Sequence, residues 1–210
     1  CGGNSAAGGP GFIPGLVRTM PPATVQQTHG LTSCSEWTGV SLSLLLDRAG
    51  VKPKGIWIIA EGEERGMHTK SIPIEKAMDD VLVVYGQNGE PIRPEQGYPL
   101  RLLVPGWEGI NSVKWLRRIK VTHQPAMGMK EMTRYTRLLS NGKSHWFEFE
   151  MGPKSVITRP SGGQQLSGPG FYEITGLAWS GGGSIQMVEV STDNGRTWTE
   201  ATLQNPVHRK

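Results

Sequence analysis

The sequence predicts an α+β fold: a mixed first part (residues 1–122), a linker (123–145) and an all-β second part (146–210). In the first part, short apolar runs bounded by turn residues are interspersed with short amphipathic stretches. The second part holds only strand-like runs, broken by Gly and Ser. The 29 glycines and 15 prolines among 210 residues favour turn-rich sheets over a helical bundle.

The first part opens with residues 1–30, which are rich in Gly, Pro and Thr and predict a long irregular loop. Ser41–Gly50 predicts a short amphipathic helix that ends at its glycine. Ile72–Met78 suits a strand followed by a helical turn. Three further apolar runs are typical of buried strands: Ile56–Ala60, Val81–Tyr85 (followed by the Asn88-Gly89 hairpin signal) and Leu100–Val104.

The second part follows a polar stretch, 123–145, which predicts a linker. Its strand-like runs are Ser155–Thr158, Phe171–Trp179 and Ile185–Val190. Ser191–Trp198 predicts a hairpin that resembles an Asp-box turn, because Asn194-Gly195 tolerates positive φ, and we interpret it as structural. Evenly spaced antiparallel strands favour an immunoglobulin-like sandwich, which we expect to be truncated at Lys210.

The composition excludes several classes of protein. The formal charge of +4 is scattered, without the basic run that follows a phosphate backbone, so no nucleic-acid partner is expected. No segment approaches the ~20 apolar residues that span a bilayer. Two cysteines, Cys1 and Cys34, cannot form a disulfide framework; they form one bridge or are two separate thiols, and Cys34 is expected to be buried as a small hydrophobe.

A few residues are candidates for chemistry. Cys1, beside Gly2-Gly3, suits a transition-metal site, although a plain thiol also explains it. Arg101 and Lys114, at the ends of apolar runs, suit an anionic group such as a phosphate, although two solvated basic residues fit the pattern equally well. Neither His29 nor His68 has a second ligand at zinc spacing, so a zinc site is not expected.

Taken in order, these segments resemble the sulfite oxidase family of molybdenum oxidoreductases. Cys1–Asn4 resembles the family's molybdenum-ligand loop. Similar segments follow in the family's order and close to its spacing: Ser71–Ile74, Asn88–Pro91, Gly97–Arg101, Val104–Gly106 and Val113–Leu116. Ser155–Pro160, Gly176–Gly181 and Val188–Ser191 resemble its dimerisation domain. The chain is therefore expected to be a fragment that begins at the molybdenum-ligand cysteine.

The resemblance implies a molybdenum–molybdopterin cofactor, with no haem in this chain. Cys1 would be the metal ligand and a catalytic residue. Glu64 lies where relatives carry a cofactor-contacting Asp, and Gln96 where many carry a His. The pterin and its phosphate would be held by Arg101, Ser112, Val113 and Lys114.

Two departures concern the substrate. Ser5 replaces the Arg that sulfite oxidases carry after the metal-ligand loop, and His68 replaces an active-site Tyr. Because an Arg guanidinium can donate two parallel hydrogen bonds to a small oxyanion, the absence of this Arg argues against free sulfite as the substrate. His29–Val40 and the dimerisation segments resemble the sulfane dehydrogenases of this family. That likeness implies a sulfane sulfur on a carrier-protein cysteine as substrate, water as oxygen source, a c-type cytochrome subunit as electron acceptor, a homodimer within a larger complex, and a periplasmic location.

Two alternatives remain open at this stage. One is a sulfite dehydrogenase or oxidase, or a molybdopterin reductase, of the same fold. The other is a non-enzymatic β-sandwich interaction module in which the first part is a relic. The combination of Cys1, Arg101 and Lys114 argues against the second alternative.

Overall fold

A computed structural model describes residues 24–64, 66, 68–133 and 135–205. The chain divides into two compact units. The first is Ser33–Phe149, and the described part of the second comprises 24–32 and 150–205. Each unit is described by itself. Within the described residues, no helix is both long enough and apolar enough to cross a membrane.

The first unit is built from antiparallel sheets with short helices. Its helices are α2 (Leu42–Ala49), α3 (Ile74–Asp79) and α4 (Met129–Thr133), whereas α1 (Val25–His29) belongs to the second unit. Its strands are β1 (Trp37–Ser41), β2 (Trp57–Gly62), β3 (Thr69–Pro73), β4 (Leu82–Gln87), β5 (Glu90–Pro91), β6 (Arg101–Leu103), β7 (Leu116–Thr122), β8 (Thr136–Leu138) and β9 (Ser144–Trp146). In one sheet β4 pairs with β1, β5 and β6. In another the order is β3-β2-β7, so β3 lies at an edge.

The predicted elements of this unit form for the expected reasons. In α2, Leu42 and Leu46 are buried one turn apart, and Gly50 ends the helix with a φ of 72°. The β4–β5 turn has both Asn88 and Gly89 at positive φ, as a two-residue hairpin requires. The core joins α2 to the sheets through Ile58, Ile72 and Leu102, each fully buried.

The polar stretch 123–145, predicted as a linker, contains secondary structure of its own. The stretch predicted as a linker carries α4 and the β8–β9 hairpin, and it belongs to the first compact unit. The physical reason is Glu131, which is 3% exposed and accepts hydrogen bonds from the backbone and hydroxyl of Ser71 at 2.8 and 3.2 Å. A polar sequence is anchored here by a buried carboxylate and not by an apolar face.

Phe149 and its neighbours hold the end of the first unit through stacked aromatic rings. The Trp107 and Phe149 rings stack at 4.1 Å between centroids, and Phe147 lies 5.4 Å from both Phe149 and Trp57. The backbone of Glu108 also donates to the Phe149 carbonyl at 2.7 Å. The chain therefore stays packed on the first unit up to Phe149.

The described part of the second unit contains α1 (Val25–His29) and antiparallel strand pairs. These strands are β10 (Lys154–Arg159), β11 (Thr175–Trp179), β12 (Glu189–Val190) and β13 (Thr199–Glu200), with β10 paired to β11 and β12 to β13. The strands are shorter than the runs Phe171–Trp179 and Ile185–Val190 predicted. The Phe171 side chain, for example, is fully exposed and lies outside any strand.

Helix α1 corrects the prediction of an irregular loop over 1–30, as far as described residues reach. Thr24 and Gln27 form a capping box: the Thr24 hydroxyl accepts from the Gln27 backbone, and the Gln27 side chain accepts from the Thr24 backbone. This Thr-x-x-Gln signal was present in the sequence.

Cys34 was expected to be buried but is exposed. It precedes β1 in a polar segment, where Ser35 accepts a hydrogen bond from Gln87 and the Glu36 backbone donates one to Asn88.

The β12–β13 loop confirms the predicted structural hairpin. Asn194 and Gly195 have positive φ, and Asp193 accepts from the backbone N–H groups of Arg196 and Thr197. Hydrogen bonds from the Thr197 backbone and hydroxyl, and then from Ser191, lower the pKa of Asp193 from 3.8 to about 2.

Asp193→Asn is expected to make the stability of the second unit less dependent on acid pH. Since the folded pKa lies below the unfolded one, the contribution of Asp193 is complete above pH 4 and is lost as pH falls towards about 2. In calorimetric melting between pH 7 and 2, the melting temperature of the variant should therefore be lower than that of wild type at neutral pH and should fall less steeply as the pH drops towards 2. Glu173→Gln, an exposed carboxylate change, is the control. Equal acid slopes for wild type and Asp193→Asn would contradict the expectation.

Candidate active site

Arg101 is the centre of the site, and β6 positions it at the start of the strand. Its side chain is 9% exposed. One guanidinium nitrogen, Nη1, donates to the backbone and side-chain oxygens of Gln96, each at 3.2 Å. The guanidinium also lies 4.9 Å from the centroid of the Trp37 ring. Its Nε atom is buried and has no hydrogen-bond partner among the described residues.

A second cation, Lys114, lies close to Arg101. The pKa of Lys114 is lowered, mainly by burial and further by the positive charge of Arg101. The negative charges of Glu64 and Glu95 act in the opposite direction. The ammonium of Lys114 donates to the Glu95 carbonyl at 2.6 Å. Two neighbouring cations, one buried with an unpaired donor, form a site that an anion would stabilise.

The turn that delivers Gln96 to Arg101 depends on Gly97. A 3₁₀ turn covers Pro94–Gln96, and Gly97 follows with a φ of 110°. A Cβ on Gly97 would lie 3.0 Å from both Cα and Cβ of Lys114. The positive φ and this close approach both require glycine, so the turn and the Lys114 segment are held together by the absence of a side chain.

Ser112 and Val113 join this segment to β6. The Ser112 hydroxyl accepts from the Val104 backbone at 3.1 Å, which leaves its proton available for donation. The Leu102 backbone donates to the Val113 carbonyl at 2.8 Å. The Val113 side chain is 1% exposed and belongs to the hydrophobic core, so its structural role is packing.

His68 lies just before β3, next to Gly62 at the end of β2. Its Nε2 is 3.3 Å from the Ile110 carbonyl, and its own carbonyl accepts from the Gly62 backbone at 2.9 Å. A Cβ on Gly62 would lie 2.7 Å from the Lys114 carbonyl. Gly62 therefore allows the end of β2 to approach both the His68 and the Lys114 segments.

The structure thus brings most of the predicted site residues into one region. Arg101, Gln96, Lys114 and Glu64 form an electrostatically coupled cluster. Glu64 also lines an open groove of about 530 Å³ that includes Tyr98. Cys1 lies outside the described residues, so its role stays a prediction.

Sequence reasoning missed other residues at or beside the site. Trp37 supplies the aromatic face under Arg101. Asn111 is 1% exposed, donates to the Glu108 carbonyl at 3.1 Å, and has a buried Oδ1 with no partner among the described residues. No local sequence pattern indicates either contact. Trp37 meets Arg101 across a sheet, and Asn111 bonds to Glu108 within a short 3₁₀ turn.

The described residues fit a cofactor that carries a phosphate and several hydrogen-bonding edges. The buried Nε of Arg101 is a free donor beside a second cation, and the buried Oδ1 of Asn111 is a free acceptor. Polar atoms that are both buried and unpaired are uncommon in folded proteins and need a partner. A phosphate suits the cationic pair, and a pterin offers both donors and acceptors.

Family comparisons agree with this chemistry. Residues 14–130 match the family described as the oxidoreductase molybdopterin binding domain. Residues 146–210 match the Mo-co oxidoreductase dimerisation domain. These matches confirm the predicted fold class, an α+β molybdopterin domain followed by an antiparallel β dimerisation domain, and the predicted molybdenum–molybdopterin cofactor.

Similar proteins include NADH nitrate reductases and a sulfane dehydrogenase of known structure. The chain is 35% identical over 205 residues to NADH nitrate reductase 2 of Phaseolus vulgaris, covering 83% of this chain and 23% of the relative. It is 36% identical over 218 residues to an NADH nitrate reductase of Hordeum vulgare, covering 87% of this chain and 24% of that relative. It superposes on the crystal structure of the sulfane dehydrogenase SoxCD from Paracoccus pantotrophus with a TM-score of 0.82 and 44% identity, covering 86% of this chain and 47% of that chain. The chain spans about a quarter of the curated relatives' length.

Proposed function

Because the chain belongs to the molybdopterin-binding oxidoreductases of the sulfite oxidase family, we propose that it is the catalytic part of an enzyme that oxidises sulfane sulfur on a carrier-protein cysteine. The cationic pair Arg101 and Lys114, with the buried unpaired Nε of Arg101, is the observation that carries the cofactor part of the proposal. The 44% identity to a sulfane dehydrogenase, against 35% and 36% to nitrate reductases, supports the sulfur substrate.

Each site residue has a physical task in this proposal. When bound, the molybdenum cofactor supplies redox chemistry and transfer of an oxygen atom that originates from water. Arg101 and Lys114 would hold the phosphate, and Gln96 orients the Arg101 fork through two hydrogen bonds. Ser112 offers a hydroxyl proton, and Glu64 balances the charge of Lys114. Cys1 would provide the thiolate that ligates the metal.

His68 is the residue that we propose handles a proton at the reacting centre. Its Nε2 faces the Ile110 carbonyl, so the ring orientation is fixed by the protein. A neutral imidazole has one nitrogen that donates and one that accepts, so a ring held in a fixed orientation can take up and release a proton near neutral pH. With Ser5 in place of the Arg of sulfite oxidases, this arrangement suits a carrier-bound sulfur better than free sulfite.

The domain roles and partners follow from the same proposal. Residues 1–122 would bind the cofactor, and 146–210 would form an immunoglobulin-like dimerisation domain. The protein would act as a homodimer within a larger complex, pass electrons to a c-type cytochrome subunit, and work in the periplasm. The match to a dimerisation domain supports the dimer.

The decisive experiment uses the full-length parent, purified from a host that makes the molybdenum cofactor. Plasma mass spectrometry should find about one molybdenum per chain. Steady-state assays should then compare a carrier-bound sulfane, free sulfite and nitrate, with reduction of a c-type cytochrome as the readout for the first two. Turnover of the carrier-bound sulfane supports the proposal. Activity with sulfite or nitrate alone would instead assign a sulfite dehydrogenase or a reductase, and absence of molybdenum would favour a binding module.

His68→Phe is expected to lower turnover about a hundredfold while molybdenum and pterin contents stay at the wild-type level. The reason is that phenylalanine keeps much of the ring's shape but cannot carry a proton, a role worth ~10²–10⁴-fold. Turnover per molybdenum is the measurement, and His145→Phe, at an exposed position, is the control. Unchanged turnover in His68→Phe would remove this role.

A further inference from the structure

A buried lysine beside the site has no task in the proposed mechanism. Lys70 lies in β3, two residues after His68, and its side chain is only 5% exposed. An ammonium group is rarely buried unless it is paired, because its desolvation is costly. Burial lowers the pKa of Lys70, and the charges of Glu131 and Glu108 act against that shift. The contacts of Lys70 must therefore offset the cost of burying its charge.

The first partner of Lys70 is the buried carboxylate of Glu131 in α4. The ammonium lies 3.8 Å from Glu131 Oε1, and the Glu131 side chain is 2% exposed. Glu131 also accepts from the Ser71 backbone at 2.8 Å and from the Gly128 backbone at 3.2 Å. The Ser71 hydroxyl in turn accepts from the Ala126 backbone at 2.9 Å. The segment Ala126–Glu131 is thereby fastened along the edge of β3.

The contact along this edge is close. A Cβ on Gly128 would lie 2.9 Å from the Thr69 hydroxyl oxygen, so the segment lies directly against the residue that follows His68. Lys70 also faces the ring of Tyr135, 4.8 Å from its centroid, beyond the end of α4. The buried ammonium therefore lies near both Glu131 within α4 and Tyr135 beyond its end.

The positive charge of Lys70 also acts on the loop that orients His68. Its charge interacts with Glu108, which precedes the 3₁₀ turn Gly109–Asn111. The same turn contributes the Ile110 carbonyl that orients His68, at 3.3 Å from Nε2. The charge of Lys70 thus acts on Glu108 beside the turn that orients His68, and its side chain contacts the α4 segment 126–135, which lies against Thr69 next to His68.

We propose that Lys70 is a positioning residue for His68: it holds the segment 126–135 against the strand that follows His68, and its positive charge attracts Glu108 beside the turn that orients the ring. The inference rests on the proposed role of His68. Loss of the ammonium leaves Glu131 buried without its ion-pair partner, which weakens the attachment of segment 126–135 beside His68, and it removes the positive charge that attracts Glu108. Small displacements of a group near the reacting centre cost up to ~10²-fold in rate, so the effect falls on turnover.

The test uses Lys70→Met in the full-length molybdenum-loaded enzyme, with Lys120→Met, an exposed lysine of β7, as the matched control. We expect kcat per molybdenum to fall at least about tenfold, with molybdenum content unchanged. We also expect faster hydrogen exchange of backbone amides in 108–112 and 126–133. A Lys70→Met enzyme with wild-type kcat per molybdenum would overturn the proposal.

A double-mutant cycle with His68→Phe separates positioning from general structural support. If Lys70 acts through His68, Lys70→Met causes little further loss of kcat in the His68→Phe background. Equal losses in both backgrounds would overturn the inference while leaving the role of His68 intact. Wild-type turnover in His68→Phe alone would instead show that the proposed function of His68 has failed, and this inference with it.

A neutral pair covers the case in which Lys70→Met does not fold. Lys70→Met/Glu131→Gln removes both charges together, and the single glutamine oxygen can still accept from the Ser71 backbone, although the bond from the Gly128 backbone is lost. This variant is expected to keep its cofactor and still lose kcat, because the link to Glu108 is gone. Full turnover in the neutral pair would contradict a positioning role for the ammonium.

Discussion

Replacing Arg101 with leucine is expected to yield a folded protein that does not retain its cofactor. The guanidinium is buried, lies beside a second cation and has an unpaired Nε, so the apoprotein bears its desolvation cost without full compensation. Truncating one partner of a buried charge pair costs ~2–5 kcal/mol of binding free energy, so cofactor affinity should fall about thirtyfold or more. Apoprotein stability should change by less than about 1 kcal/mol, because the desolvation cost of the guanidinium offsets its hydrogen bonds to Gln96 and its contact with Trp37.

The matched control for Arg101→Leu is Arg48→Leu, at an exposed position in α2. Pterin fluorescence after denaturation and metal analysis measure the bound cofactor, and thermal melting of the apoproteins measures stability. Cofactor retained by Arg101→Leu would refute the assignment of the phosphate site. A collapse of apoprotein stability would instead make Arg101 a structural residue.

Cys1→Ser is expected to abolish catalysis and the thiolate-to-molybdenum absorption of the parent enzyme. A serine hydroxyl is a poor replacement for a thiolate at a transition metal. Because changes around metal ligands already cost ~10–100-fold, loss of a direct ligand should exceed about a hundredfold in activity. Pterin content should persist, since Arg101 and Lys114 would still hold the phosphate.

Cys34→Ser is the control for this experiment, because the only other cysteine is exposed. Its absorption spectrum and activity should equal those of wild type. Retention of the charge-transfer band in Cys1→Ser, or its loss in Cys34→Ser, would show that Cys1 is not the ligand. The comparison needs no assumption about the substrate, since the spectrum is read in the resting enzyme.

Local signals predicted much of the fold. The apolar runs that became β2, β4 and β6, the Gly50 helix end and the Asn88-Gly89 turn all depend on neighbouring residues. The linker prediction over 123–145 was incomplete because the force that folds α4 onto the first unit comes from Ser71, 60 residues away. Polarity of a segment carries no information about a distant partner for its one buried carboxylate.

The site was predictable in its charges but not in its packing. Arg101 and Lys114 follow from basic residues at strand ends, and the family resemblance added Glu64, Gln96 and Cys1. Trp37 beneath Arg101 is different, because the ring approaches across the β1–β4 and β4–β6 pairings of the sheet. Such contacts need the strand order, which no periodicity along the chain reveals.

The carboxylate of Glu131 has a consequence for aggregation as well as for the site. β3 is an edge strand, and an uncovered edge offers backbone N–H and C=O groups to the same strand of another chain. Glu131 occupies the Ser71 N–H, and Ala126–Gly128 lies along the strand beside it. Chains that lose this cover expose the unpaired backbone groups of β3 to pairing with another chain. Docking of α4 therefore helps to keep newly made chains from joining edge to edge before they reach the folded state.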